Sequence, residues 1–172
     1  KTTGHHITIE LGLQTINYHT LLKVNRGHEL AEYVDAVIRI KKYGFEICTH
    51  LILNLPWDNE TDVIENAKMM SALQIDSVKL HALYILKNTV MGNQYEKGEL
   101  NMISLEEYQE RVITFLEYLH PSITVQRLLG RAPQGRAIFA NWDTSWWKVR
   151  DDIEEKMRKR GSYQGKQCDY LN

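Results

Sequence analysis

The chain has 172 residues, is 43% apolar and 25% charged, and carries a net charge of −1. That is enough apolar material for one globular domain with a sizeable core. The near-zero charge excludes a broad electrostatic pull toward nucleic acid or a membrane surface, and no apolar run approaches the roughly 20 residues of a membrane-spanning helix.

The first residues, "KTTGHH", contain no apolar leader stretch. A strand pattern follows almost at once over 6–13, where Ile7, Ile9 and Leu11 alternate with Thr8, Glu10 and Gly12. Because the chain starts at Lys1 and opens into a strand, it reads as the C-terminal piece of a longer protein. A short helix is predicted from Asn17 to Lys23, broken by "NRGH" at 25–28. A longer helix runs from Glu29 to about Tyr43, with Leu30, Val34, Val37, Ile38 and Ile40 supplying its apolar stripe and Gly44 ending it.

The second strand is predicted over 45–56, "FEICTHLILNLP". It is nearly continuous in apolar residues toward its end, as in a parallel strand covered on both faces, and Pro56 stops it. A helix from Thr61 to Leu73 turns Val63, Ile64, Ala67, Met70 and Leu73 inward. A third strand spans 77–85, and a polar loop 87–102. Ser104 and Glu107 form an S-x-x-E capping signal for a helix to Leu119. A fourth strand covers 123–130, a loop 131–143, and a last helix, capped by Asp143 or Thr144, runs to Lys159 with Val149, Ile153 and Met157 inward. The tail 160–172 is expected to be loosely ordered. The alternation predicts one α/β domain over 1–172, with about four parallel strands joined by right-handed crossovers, either an open sheet or an arc of a (β/α) barrel.

In such folds ligands bind at the carboxyl ends of the strands. That edge collects Glu10 and Gln14 from the first strand, His50 and Asn54 from the second, Lys79 and His81 from the third, and Gln126 and Arg127 from the fourth, with Arg26 and His28 within reach. Polar groups on all four otherwise apolar strands predict a real pocket, although each alone reads as an ordinary core or capping residue. A metal site from His5, His6, His50 and His81 is weighed and not predicted, because no HxxxH or HxH spacing occurs. Glycine-rich phosphate loops, GxSxG and HExxH are absent from the sequence. The run "KMRKR" at 156–160 reads as the solvated end of the last helix.

"ELGLQT", then "NRGH", "THLILNLPWDNE" and "VKLHAL", and finally "QRLLGRAP" with the following Trp and Lys, resemble in order and spacing the radical S-adenosylmethionine (SAM) superfamily. The resemblance covers nearly the whole chain and points to the Elongator-catalytic-subunit-like branch, within it the YhcC/YtqA-type group. It implies the C-terminal part of a partial (β/α)6 TIM-like barrel. In the intact parent a CxxxCxxC loop would hold a 4Fe–4S cluster at which SAM is cleaved to a 5′-deoxyadenosyl radical. This chain has no CxxxCxxC, so no cluster and no radical chemistry are expected of it alone. By the same resemblance the cofactor-binding residues are Gln14 near the SAM ribose and methionyl part, Arg26 pairing with its carboxylate, His50 near the ribose, Glu10 as polar lining, and Asn54 where the family strand carries glycine. Glu60 would be that motif's acidic end. His81 and Arg127 fall on the substrate side, and no catalytic residue is assigned.

The expected partners are the missing N-terminal barrel half, SAM, and RNA or another macromolecular substrate. No membrane is expected, and an open sheet edge predicts self-association. Cys48 and Cys168, far apart in sequence, read as two reduced thiols of a cytoplasmic protein. The competing readings are a non-enzymatic interaction module using "NWDTSWW" at 141–147 as contact surface, and an unrelated (β/α) segment with phosphate chemistry, which lacks a phosphate loop.

Overall fold

A computed structural model describes residues 4–131 and 135–171. Strand β1 (Thr8–Gln14) leads through α1 (Tyr18–Lys23) and α2 (Leu30–Lys42) to β2 (Glu46–Ile52), and α3 (Glu60–Ala72) leads on to β3 (Ser77–His81). After β4 (Ile85–Leu86) and α4 (Val90–Glu96) come α5 (Leu105–Tyr118), β5 (Thr124–Arg127), β6 (Ala137–Phe139) and α6 (Trp146–Arg160). β1, β2, β3 and β5 lie side by side in that order, all parallel. The predicted α/β class with a four-stranded parallel sheet and alternating helices is the observed one.

Local chemistry sets the helix starts. Ser104 Oγ accepts from the Glu107 amide at 3.1 Å and begins α5 as predicted, while the Glu107 carboxylate turns to Arg111 at 2.9 Å instead of closing the box. Complete capping boxes form at Glu29/Glu32 and Asn59/Asp62, so α3 starts slightly before the predicted Thr61.

The strands are covered by the core on one face only, against the expectation of two. Leu13, Ile47, Leu51, Val78 and Leu80 are buried with Val37, Val63, Met70, Val112, Phe115 and Ile153 from the helices. Each such side chain contributes roughly 1.5–3 kcal/mol of hydrophobic stabilisation. The alternate strand positions, Glu10, His50, Lys79 and His81, fall on the other face. The period-2 pattern of β1 therefore describes this sheet better than the apolar run of 51–55.

Other departures have local causes. The second strand stops at Ile52, short of Pro56, and the third stops at His81 because the Leu83 N–H is taken by Asn54 Oδ1 at 2.6 Å. Ile85 and Leu86 then form a separate antiparallel ladder with β6, inside the predicted loop 131–143, of which 132–134 lie outside the described residues. The predicted loop 87–102 contains α4, capped by Thr89, whose Oγ1 accepts from Gly92 N at 2.9 Å. Gly92 has to be glycine, since a Cβ there would stand 2.3 Å from Leu86 O.

Asn141, Trp142 and Asp143 all adopt positive φ, and neither Asp143 nor Thr144 caps the last helix, which starts after Ser145. The strained turn is held by Trp142: its Nε1 donates to Ile103 O at 2.7 Å and its ring packs 4.9 Å from Tyr108. The segment 161–171, expected to be loose, is fastened to the end of α5. Gln164 Nε2 donates to His120 O and Ile123 O at 2.9 and 2.8 Å, and Gly165 N and Gln167 N donate to Leu116 O and Glu117 O. Leu116 and Glu117 belong to the last turn of α5, where the helix's own ladder runs short of donors, and the tail adds them.

Candidate functional site

The face opposite the core carries a charged ladder. Glu10 pairs in register with Cys48, and His50 lies between Gly12 and Lys79 on its neighbouring strands. This brings His50 Nε2 to 2.7 Å from Glu10 Oε2, and Lys79 Nζ to 2.5 Å from Glu10 Oε1. The Lys79 bond and then the His50 bond hold the Glu10 carboxyl below its ordinary range. One row along, His81 stacks on His50 with ring centroids 5.2 Å apart and lies 2.8 Å, Nε2 to Nη2, from Arg127. A guanidinium can only donate, so His81 Nε2 accepts. Burial, followed by the charges of Arg127, His50 and Lys79, pushes the His81 imidazole down to about 4, so it is neutral at neutral pH.

At the carboxyl end of β1 the ladder skips a residue between Gly12 and Gln14, and Gln14 takes φ 76°. The skip pairs Gln14 with the core-facing Leu51, and the left-handed backbone swings its amide back over Gly12. An added Cβ at Gly12 would stand 2.8 Å from Gln14 Nε2 and 2.7 Å from Arg26 Nη2. Arg26 donates to Gly12 O from Nη2 at 2.7 Å and from Nε at 3.3 Å, and His28 Nε2 approaches the same oxygen at 3.2 Å. Gly12 is thus the one place in β1 where backbone is laid bare beneath an amide and a guanidinium.

A cavity of about 340 Å³ opens here, lined by Gln14, His50, Ile52, His81, Ala82, Leu83 and Tyr84. A larger hollow of about 840 Å³ lies at the opposite, amino-terminal end of the strands, beside Glu46, Asp76 and Ile123, away from the charged ladder.

The structure thus places Gln14, His50 and His81 in the cavity lining, with Glu10 bonded to His50, Arg127 to His81 and Arg26 to the Gly12 carbonyl. Asn54 is fully buried behind the wall, where its Oδ1 holds Leu83; among the described residues its Nδ2 has no partner. Glu60 is exposed at the start of α3, and Gln126 donates to Ser77 Oγ at 2.9 Å. Lys79, collected at the same strand edge in the sequence but given no role there, is Glu10's second partner. Tyr84 and Leu83 line the cavity without any signal in the sequence, because the turn that brings them there depends on Asn54.

The donor set suits SAM better than an iron–sulfur cluster. A guanidinium, a carboxamide, an imidazole and a carboxylate around a bare glycine can bind an amino acid carboxylate and a ribose. Cys48 is buried in the sheet and Cys168 lies in the tail, and among the described residues no three metal-ligating side chains come together.

Residues 75–159 match the family model described as the Radical_SAM C-terminal domain. The chain is 37% identical over 94% of its length to the uncharacterized protein YtqA of Bacillus subtilis, covering 50% of that protein, and 28% identical over 94% to YhcC of Escherichia coli, covering 52%. It is 27% identical over 76% of its length to a tRNA-2-methylthio-N(6)-dimethylallyladenosine synthase of Pelodictyon phaeoclathratiforme, covering 34% of it. The fold superposes on the archaeal Methanocaldococcus infernus Elp3 with a TM-score of 0.78, over 92% of this chain and 37% of that one, at 19% identity. The chain spans about half the length of YtqA and YhcC. Residues 75–159 thus carry the Radical_SAM C-terminal domain, and over nearly its whole length the chain is similar to the YtqA- and YhcC-type proteins.

Proposed function

We propose that the intact protein is a radical SAM enzyme and that this chain supplies its SAM- and substrate-lining wall. A reduced 4Fe–4S cluster held by other residues of the intact protein would supply the electron for SAM cleavage and hence radical chemistry, while residues of this chain would hold and orient SAM. The observation that carries this reading is the Gly12 cradle, where the ends of the Arg26 and Gln14 side chains occupy the space a Cβ would take. In it the Arg26 fork takes the SAM carboxylate, the Gln14 amide takes the ribose and methionyl edge, and His50, braced by Glu10, stands beside the ribose. Asn54 serves indirectly, by fixing Leu83 in the cavity wall. His81 and Arg127 face the substrate.

The test is calorimetry of SAM binding to the full-length, anaerobically reconstituted protein and its Gln14→Ala and Arg26→Ala variants, with formation of 5′-deoxyadenosine as the second measurement. Tenfold or greater loss of affinity in both variants is expected, and unchanged affinity overturns the assignment. RNA is the proposed substrate class, supported by the tRNA-modifying activity in the name of one relative. The rest of the barrel is the proposed partner along the β1 edge. Where β1 is left unpaired, exposed Ile7, Tyr43 and Phe45 favour self-association, which light scattering reads. Among the described residues no helix is long and apolar enough to cross a membrane, and the two free thiols, Cys48 and Cys168, support a cytoplasmic location.

The exposed Trp146 and Trp147 at the start of α6 favour a second reading, a non-enzymatic interaction module. Failure of the reconstituted protein to form 5′-deoxyadenosine would select it.

A further inference from the structure

We infer that Arg127, aimed by His81, is the anchor for an anionic group of the substrate, a phosphate or a carboxylate, at the mouth of the cavity bounded by His50, His81 and Tyr84. The inference rests on reading this face as the substrate chamber. It names the chemistry the chamber selects.

The charges of the ladder are unequal. Glu10 is the carboxylate of the cluster, and it is spent on Lys79 and His50. Arg127, one strand further on and paired in register with Lys79, has no carboxylate within salt-bridge distance among the described residues; its recorded side-chain partner is the ring nitrogen of His81. An acceptor without charge fixes the direction of a guanidinium and leaves its charge uncompensated. The remaining N–H groups of that fork stay available to an anion in the bidentate geometry that phosphate and carboxylate share.

The ring of His81 is itself held in place. It stacks on His50, and its Nδ1 edge lies where a Cβ at Gly130 would come within 2.9 Å. The stack on His50 orients the His81 ring, Gly130 leaves room for its Nδ1 edge, and His81 in turn orients Arg127. Burial first, and then the charges of Arg127, His50 and Lys79, disfavour a proton on the His81 ring. The share of that effect owed to Arg127, which has no carboxylate partner among the described residues, is the share that also favours an anion.

The test needs neither SAM nor a cluster, so its outcome is independent of the cradle assignment. The isotope-labelled chain is titrated with sodium phosphate and, separately, sodium acetate at constant ionic strength, while the arginine Nε–H and histidine ring signals are followed by NMR. Saturable shifts of Arg127, His81 and His50 are expected, and the anion that saturates at lower concentration identifies the group. Arg127→Gln, at an exposed position, should raise the dissociation constant at least tenfold. Arg127→Lys should restore only part of the affinity, since it keeps charge and loses the fork. His81→Leu should weaken binding about fivefold, whereas His81→Gln, which keeps an acceptor, should recover most of it; a residue that merely packs would not make that distinction. Non-saturating shifts equal in the parent chain and Arg127→Gln, or saturation centred on other residues, overturn the inference.

Discussion

His50 Nε2 and Glu10 Oε2 stand 2.7 Å apart across the β1–β2 ladder, although 40 residues separate them in sequence. Register creates the pair: Gly12, two residues on from Glu10, lies opposite His50, and a parallel ladder turns both onto one face. The same face brings Lys79 to the second carboxylate oxygen and stacks His81 on His50.

Acidification should unload this ladder in two steps. His81 is lowered from 6.5 to about 4 in the fold, so on acidification the unfolded chain takes up its proton first. Stability therefore rises with pH between about 4 and 6.5 and is flat above, as far as this group goes. The Glu10 carboxyl lies below its ordinary 4.5, so its contribution is present above that value and is lost as pH falls through the lower folded value. Melting temperatures across this range should show a reduced slope between pH 4 and 6.5 for His81→Leu, and an NMR titration of the ring should have its midpoint near 4.

Gly12→Ala is expected to dislodge the two side chains above it without unfolding the chain. The added methyl group meets the far ends of Arg26 and Gln14, which can swing away, so the cost should be about 1–2 kcal/mol. Loss of the Arg26 bonds to Gly12 O should appear as faster solvent exchange of the Arg26 Nε proton. Arg26→Ala alone should cost about 1 kcal/mol, because His28 still serves the same oxygen. Denaturant unfolding measures both.

Asn54→Ala should destabilise by about 1–3 kcal/mol, since it strips the Leu83 amide of its acceptor. The expected local signature is rapid hydrogen exchange at Leu83. Asn54→Asp keeps the acceptor but buries a carboxylate, and should be worse at pH 7 than at pH 4.

Gln164→Ala removes two donors from the carbonyls of His120 and Ile123 and should cost about 1–2 kcal/mol. Exchange at the hydrogen-bonded Gly165 and Gln167 amides should be faster in the variant than in the parent chain.

The helix faces and the parallel order of the sheet were legible because they rest on local periodicity. Leu105, Tyr108, Val112 and Phe115 mark one side of α5 whatever else the chain does. The grouping of Glu10, His50 and His81 was legible for the same reason, through alternation. The route by which Gln14 joins them was not. Counting by twos puts it beside Glu10, yet the ladder skips at Leu13 and a positive φ restores the side chain to the mouth. Such compensation has no signature in residue type, since glutamine is an unusual occupant of a left-handed position. The α4 helix stayed hidden because it is short and leans on a single Thr89 cap. The fastening of the tail depends on glutamine donors meeting carbonyls some 40 residues earlier, which no local pattern foretells.

The engagement of Arg26 with Gly12 O has one more consequence. An anion recruiting this guanidinium enters an exchange, because the fork must let go of one oxygen to grip another. The net gain is the difference between two charge-assisted bonds rather than the whole of one. Capture should accordingly be paced by the swing of a side chain, with an observed rate that levels off as ligand concentration rises, while His28 keeps the vacated carbonyl from standing bare.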